Sequence, residues 1–122
     1  MSSDSERILP GQKPAYFNLL RAVQHAIINL VIRSFRHKGL DKFFESGSMA
    51  GIQPHHASRL RMLLTALDTS MSITDMDIPG FRLHRLKGQE KDRWSVWVNG
   101  NWRLTFEFID GHVYVLDYED YH

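Results

Sequence analysis

The chain has no cysteine. That excludes a disulfide framework and any thiolate metal site, and it fits a reducing, cytoplasmic setting. No run approaches the ~20 unbroken apolar residues of a membrane-spanning helix. The apolar stretch Leu19–Ile32 is interrupted by Arg21, Gln24, His25 and Asn29. The start, Ser2 to Glu6, is acidic and serine-rich, unlike a secretory signal. Net charge is also scarce: +1 for the whole chain, with 12 Lys+Arg against 12 Asp+Glu from Val31 onward. A protein that holds nucleic acid by its overall field needs a basic excess, so that class is excluded. Internal repeats and low-complexity tracts are absent as well.

What remains is enough for one small domain with one core. The 122 residues are 43% apolar and 11% aromatic, the composition of a folded protein. The charge is zoned. Arg82, Arg85, Lys87, Lys91, Arg93 and Arg103 fall within 22 residues, and Asp110, Asp117, Glu119 and Asp120 gather near the end.

Residues 1–14 read as a tail, Ser/Asp-rich with Pro10-Gly11 and Pro14 as breakers. Tyr16, Leu19, Leu20, Val23, Ile27 and Leu30 then recur at helical spacing. Val31–Phe35 reads as a short strand that Gly39 closes. Leu40–Glu45 opens a helix that stops near Gly47. Pro54 suits the first turn of the next helix, where its missing N–H costs nothing. Ala57, Leu60, Leu63, Leu64 and Leu67 form that helix's apolar face, and His55-His56 ahead of it read as a solvated polar turn. Ser72–Ile78 is a helical turn or loop, and Pro79-Gly80 breaks the chain.

The remainder alternates with period two. Trp94, Val96 and Val98 share one face of a strand; Asn99-Gly100 is a strong hairpin signal; Trp102, Leu104, Phe106 and Phe108 share a face of the next. Asp110-Gly111 starts a second hairpin into Val113–Tyr118. The expected fold is α+β, a small antiparallel sheet with two or three helices on one face. Arg103 then points to the other face, opposite Trp102 and Leu104. In the last strand, Tyr114, Leu116, Tyr118 and Asp120 are expected on one side, and Val113, Val115, Asp117 and Tyr121 on the other. Trp97, on the other strand face, is a base-stacking platform or, the favoured reading, ordinary packing, and a cross-strand ion pair of Arg103 with Glu107 or Asp120 is the structural alternative for that arginine. The strand-like end of the chain carries a carboxylate, a phenol and an imidazole, Asp120, Tyr121 and His122, the kind of set that proton transfer near neutral pH requires.

Four segments, IRSFRHKGL from Ile32, LHRLKG from Leu83, NWRLTF from Asn101 and the terminal YEDYH, resemble in wording, order and spacing the HigB toxins, a branch of the RelE-like mRNA endonucleases of toxin–antitoxin systems. The resemblance covers 31–122 and implies a RelE-like fold. It also implies ribosome-dependent cleavage of mRNA in the A site of the 70S ribosome, with no metal and no cofactor, and a neutralising HigA-like helix-turn-helix antitoxin. Two departures stand out. Family members often carry proline after the motif's histidine, where this chain has Arg85. Residues 1–30 have no counterpart, and Val31 stands where family members begin. Two readings of 1–30 stay open: an untranslated stretch ahead of a GTG start at Val31, or a real N-terminal tail and helix.

RNA cleavage without metal uses the 2′-OH as nucleophile against the adjacent phosphorus. It leaves a 2′,3′-cyclic phosphate and a 5′-OH. It needs a base, an acid and cations for the charge that grows on the phosphate. On the resemblance, His84 and His122 are the acid–base candidates and Lys87 and Arg103 the charge stabilisers. Asp120 is a second base or the orienter of an imidazole, while Tyr121 and Arg85 contact RNA. A non-catalytic RNA- or ribosome-binding module is the alternative, and the acid–base groups favour the enzyme.

Overall fold

The computed structural model describes residues 31–88 and 92–121. The expected N-terminal helix and His122 therefore lie outside the described residues. Four strands form one antiparallel meander: β1 (His84–Leu86), β2 (Arg93–Asn99), β3 (Trp102–Ile109) and β4 (His112–Asp120), in the order β1-β2-β3-β4. Two helices, α1 (Lys38–Ser46) and α2 (Ala57–Asp68), precede them. Leu60, Leu63, Leu64 and Leu67 of α2 join Val96, Val98, Leu104, Phe106, Val113 and Leu116 in one buried cluster. The helices thus occupy one sheet face, as the α+β reading expects. Each fully buried side chain of this kind contributes ~1.5–3 kcal/mol before chain entropy is subtracted.

Helix α1 starts two residues earlier than the sequence suggests. The Nδ1 of His37 accepts the Leu40 N–H at 2.9 Å and caps the first turn. Gly39 is inside that turn and does not end a unit. A Cβ added there would stand 2.8 Å from the Cα of Gly51, so the glycine permits a close backbone approach. The helix ends at Gly47 in a left-handed conformation, φ 81°. Pro54 opens a short 3₁₀ turn that runs directly into α2.

The segment after Val31 is not a full strand. It lies along β4 through two isolated parallel bridges, Ile32 to Val113 and Phe35 to Leu116. Between them, the Val115 N–H donates to Ser34 Oγ at 2.8 Å. The reason is a β-bulge in β4: Thr105 faces Asp117 and Glu107 faces Tyr114, so one residue is extra. Val115 takes it up at φ 53°. A β-branched residue in the left-handed region is a true outlier. The bulge corrects the expected alternation. Val113, opposite Phe108, is buried with Leu116 and Tyr118, whereas Tyr114, opposite Glu107, turns to the face away from the helices.

The hairpin signals hold. Asp110 (φ 50°) and Gly111 (φ 79°) are both left-handed, as a tight hairpin turn requires.

Candidate functional site

The ladders order the outer face, the one away from the helices, into rows. Trp97, Arg103 and Glu119 form one row; His84, Ser95, Thr105 and Asp117 the next; Leu86, Arg93, Glu107 and Tyr114 the third. The face alternates as expected, yet its middle is not solvated. Ser95, Thr105 and Glu107 are all buried.

Arg93 closes that middle. Its Nη2 donates to Thr105 Oγ1 at 2.9 Å and to the Val115 carbonyl at 3.2 Å. Its Nη1 stands 3.7 Å from Glu107 Oε2, in a pair whose side chains are each 12% exposed. Thr105 donates its hydroxyl hydrogen to Glu119 Oε2. The bulge thus has a use: it presents a carbonyl to a buried guanidinium that needs acceptors. This network went unread in the sequence. Alternation alone places Arg93, Thr105 and Glu107 on one face, and an Arg and a Glu on neighbouring strands were the available signal.

The expected site residues surround this closed middle. His84 begins the edge strand β1, is exposed, and has no hydrogen-bond partner among the described residues. Lys87 lies just past the end of β1, also exposed. Arg103 is half-buried, and its Nη1 donates to the carbonyls of Gly100 and Trp102 at 3.0 and 3.1 Å. No carboxylate among the described residues lies within ion-pair distance of Arg103. Glu107 is committed to Arg93, and Glu119, opposite Arg103, accepts from Thr105. His84 and Arg103 therefore share a face, one row and two strand spacings apart, about 12 Å. Small, buried Ser95 lies beside both of their rows.

The other candidates stand apart. Arg85 pairs in register with Trp94, on the opposite side from His84, and its guanidinium is bound to Asp92. Asp120 faces Trp102, so the ladder sets it on the helix side of β4, and the alternation returns Tyr121 to the outer side. Tyr121 is exposed and tied by its N–H to the Asn101 carbonyl at 2.8 Å. The β4 end is thus held to the β2–β3 hairpin close to Arg103.

On the helix side, the expectation of a solvated histidine pair fails for His56. It is 2% exposed. The Tyr118 hydroxyl accepts the Gln53 N–H at 3.3 Å and shares a hydrogen bond with His56 Nδ1 across 2.6 Å. Burial, and then the neighbouring His55, lower the His56 pKa from its ordinary value. Burial raises that of Tyr118, an effect partly offset by the Gln53 hydrogen bond. Trp102 packs on both, 4.5 Å from Tyr118 and 5.5 Å from His56 between ring centres. Among the described residues no three His, Asp or Glu side chains are grouped to hold a metal ion, and no helix is long and apolar enough to cross a membrane.

Comparison with known proteins adds to this geometry. Residues 33–122 match the family model described as the RelE-like toxin of the type II toxin–antitoxin system HigB. The chain is 44% identical over 92 residues to the endoribonuclease HigB of Proteus vulgaris, covering 75% of this chain and all of that protein. It is 33% identical over 79 residues to the toxin HigB-1 of Vibrio cholerae, covering 63% of this chain and 83% of that one.

Proposed function

The chain belongs to the HigB-like family, the RelE-like toxins of type II toxin–antitoxin systems, and from that premise we propose that it is an endoribonuclease that cleaves mRNA in the ribosomal A site. The observation that carries the reading is the shared outer face of His84 and Arg103. Among the described residues, one offers an imidazole with no hydrogen-bond partner, the other a guanidinium with no carboxylate against it. A phosphate between them meets a proton-transfer group and a charge stabiliser together.

The reaction is attack of the 2′-OH on the adjacent phosphorus, in line with the departing 5′-oxygen. A base takes the 2′-OH proton, the P–O5′ bond breaks as the new P–O2′ bond forms, and an acid protonates the leaving oxygen. His84 and His122 fill the acid and base roles without a metal. Arg103 and Lys87 hold the non-bridging oxygens, Arg103 with its fixed fork of donors. Asp120, beside the terminal residue, orients the His122 imidazole. Tyr121 lies against a base, and Arg85, which Asp92 already engages, is left a peripheral RNA contact.

The ribosome supplies what the chain lacks. The unit from Val31 has no net charge to gather free RNA, so positioning of the strand comes from its complex with translating ribosomes. Residues 1–30 are outside the match to the family and are dispensable for cleavage. A type II toxin has an antitoxin as its partner, here one with a HigA-like helix-turn-helix.

The test compares the purified chain on naked mRNA and on translating ribosomes. Cleavage confined to the ribosomal sample and ending in cyclic phosphates is the expected result. Equal rates on naked RNA would make it a general ribonuclease. Ribosome binding with no cleavage at all would favour the non-catalytic module.

A further inference from the structure

Arg82 is exposed and lies two residues before His84, with its backbone in the left-handed region, φ 52°. An arginine held there is strained, and such strain persists only where the surroundings fix it. Its guanidinium carbon lies 4.1 Å from the centre of the Trp97 ring. Trp97 is itself fixed, since its Nε1–H donates to the Gly100 carbonyl at 3.0 Å. That same carbonyl accepts from Arg103 Nη1 at 3.0 Å. One backbone oxygen therefore positions both the phosphate-binding arginine and the indole on which Arg82 rests.

Charge is concentrated here. Arg59 reaches round from α2, its guanidinium carbon 5.5 Å from the same ring centre. Its donors go to the Trp97 and Gly80 carbonyls. Arg82, by contrast, has no hydrogen bond and no ion pair among the described residues, so none of its five N–H donors is spent on them. Burial, and then the nearby Arg82, lower the Arg59 pKa from its ordinary value, and no carboxylate among the described residues pairs with either guanidinium. An anion at the Arg82 edge relieves the repulsion between the two.

We infer that Arg82, held over Trp97, is a phosphate clamp for single-stranded RNA. It takes a backbone phosphate that flanks the scissile one on the outer face beside Arg103. The inference rests on the endoribonuclease reading for the identity of its ligand. The indole's part is preorganisation: it holds the guanidinium in place before the strand arrives. Arg82 touches RNA but no reacting atom, so it contributes to binding and not to the chemical step.

The experiment uses the full chain and two probes: ribosomes programmed with mRNA that carries a 2′-O-methyl group at the scissile position, which cannot be cleaved, and the same ribosomes with ordinary mRNA. Arg82→Ala should weaken binding of the first probe about tenfold and lower the salt slope by about one. Its single-turnover rate on the second, at saturation, should stay within about threefold of wild type. Arg82→Lys should restore the salt slope without the full affinity. Trp97→Leu should weaken binding with Arg82 still present. Melting curves verify that each variant is folded, and Arg82, being exposed, is the safe one.

Wild-type affinity and salt slope in Arg82→Ala would overturn the clamp, and so would a loss seen only in antitoxin binding. Because the first probe reads binding alone, the two ideas fail separately. A wild-type chain that binds but never cleaves would sink the endoribonuclease reading and leave the clamp standing. Normal cleavage with unaltered Arg82→Ala binding would sink the clamp alone.

Discussion

The outer sheet face holds two populations of cations that differ in one respect. At its middle, Arg93 has Glu107 opposite it in the ladder, Thr105 beside it and the Val115 carbonyl above it, and is closed from solvent. Around it, Arg82, His84, Lys87 and Arg103 have no carboxylate within ion-pair distance among the described residues. The same residue types on one surface thus do opposite work. A buried guanidinium is tolerable only when paired and hydrogen-bonded, so the middle is committed to holding the sheet together. The surrounding groups meet no carboxylate among the described residues, which suits the proposed contact with an anion. Position in a sequence of basic residues does not separate the two; the ladder partner does.

The sharpest way to break this comparison is to remove groups from the surround. His84→Ala and Arg103→Ala should each lower single-turnover cleavage on loaded ribosomes by ~10²–10⁴-fold, with melting transitions near that of the wild type. A collapsed transition for Arg103→Ala would move that arginine into the structural population.

Glu107→Ala, at the middle, should do the reverse. It strands Arg93 with a buried charge, which costs about 3–5 kcal/mol of stability when a buried pair is broken from one side. Denaturant unfolding would read the loss. A variant as stable as wild type would show that Arg93 is served by Thr105 and the Val115 carbonyl alone.

The smallest effect lies on the opposite face, where a titratable group is buried without charge. His56 is disfavoured as the imidazolium in the folded state, while the unfolded chain takes up the proton near its ordinary pKa of about 6.5. The unfolded state therefore binds more protons in the window below that value. The stability from neutral His56 is fully present above pH 6.5 and declines as pH falls beneath it. Melting temperature measured from pH 7.5 to 5 should show this decline, and His56→Leu should make the profile shallower. An unchanged profile in the variant would assign the decline to other groups.

The sequence disclosed the meander and the faces of β2 and β3, because two hairpin signals and strict alternation admit little else. It disclosed less of β4. The bulge places Val115, a residue disfavoured for positive φ, where no sequence rule looks for it, and every face assignment before that point reversed. His56 was read as solvated because its partner, Tyr118, is 62 residues away. The cap at His37 is not legible in the sequence, because histidine is not among the usual helix caps. Of the site, Arg103 and His84 fell on one face as alternation required. Asp120 did not join them in the ladder, since even-numbered positions of β4 beyond the bulge turn toward the helices. Trp97 was taken for packing, and only the register shows Arg103 beside it.

The sheet's two edges also bear on how copies of this protein coexist. An open strand edge is a template on which another chain can lay a strand. At the β4 side the two-bridge segment from Ile32 to Phe35 occupies that edge. At the other side the template is only three residues long, and His84, Arg85 and Lys87 line or follow it. Short and cationic, it repels a second copy of itself. The residues proposed to meet an anionic strand of RNA would also keep neighbouring chains from joining edge to edge, so neutralising them for solubility or crystallisation would invite self-association.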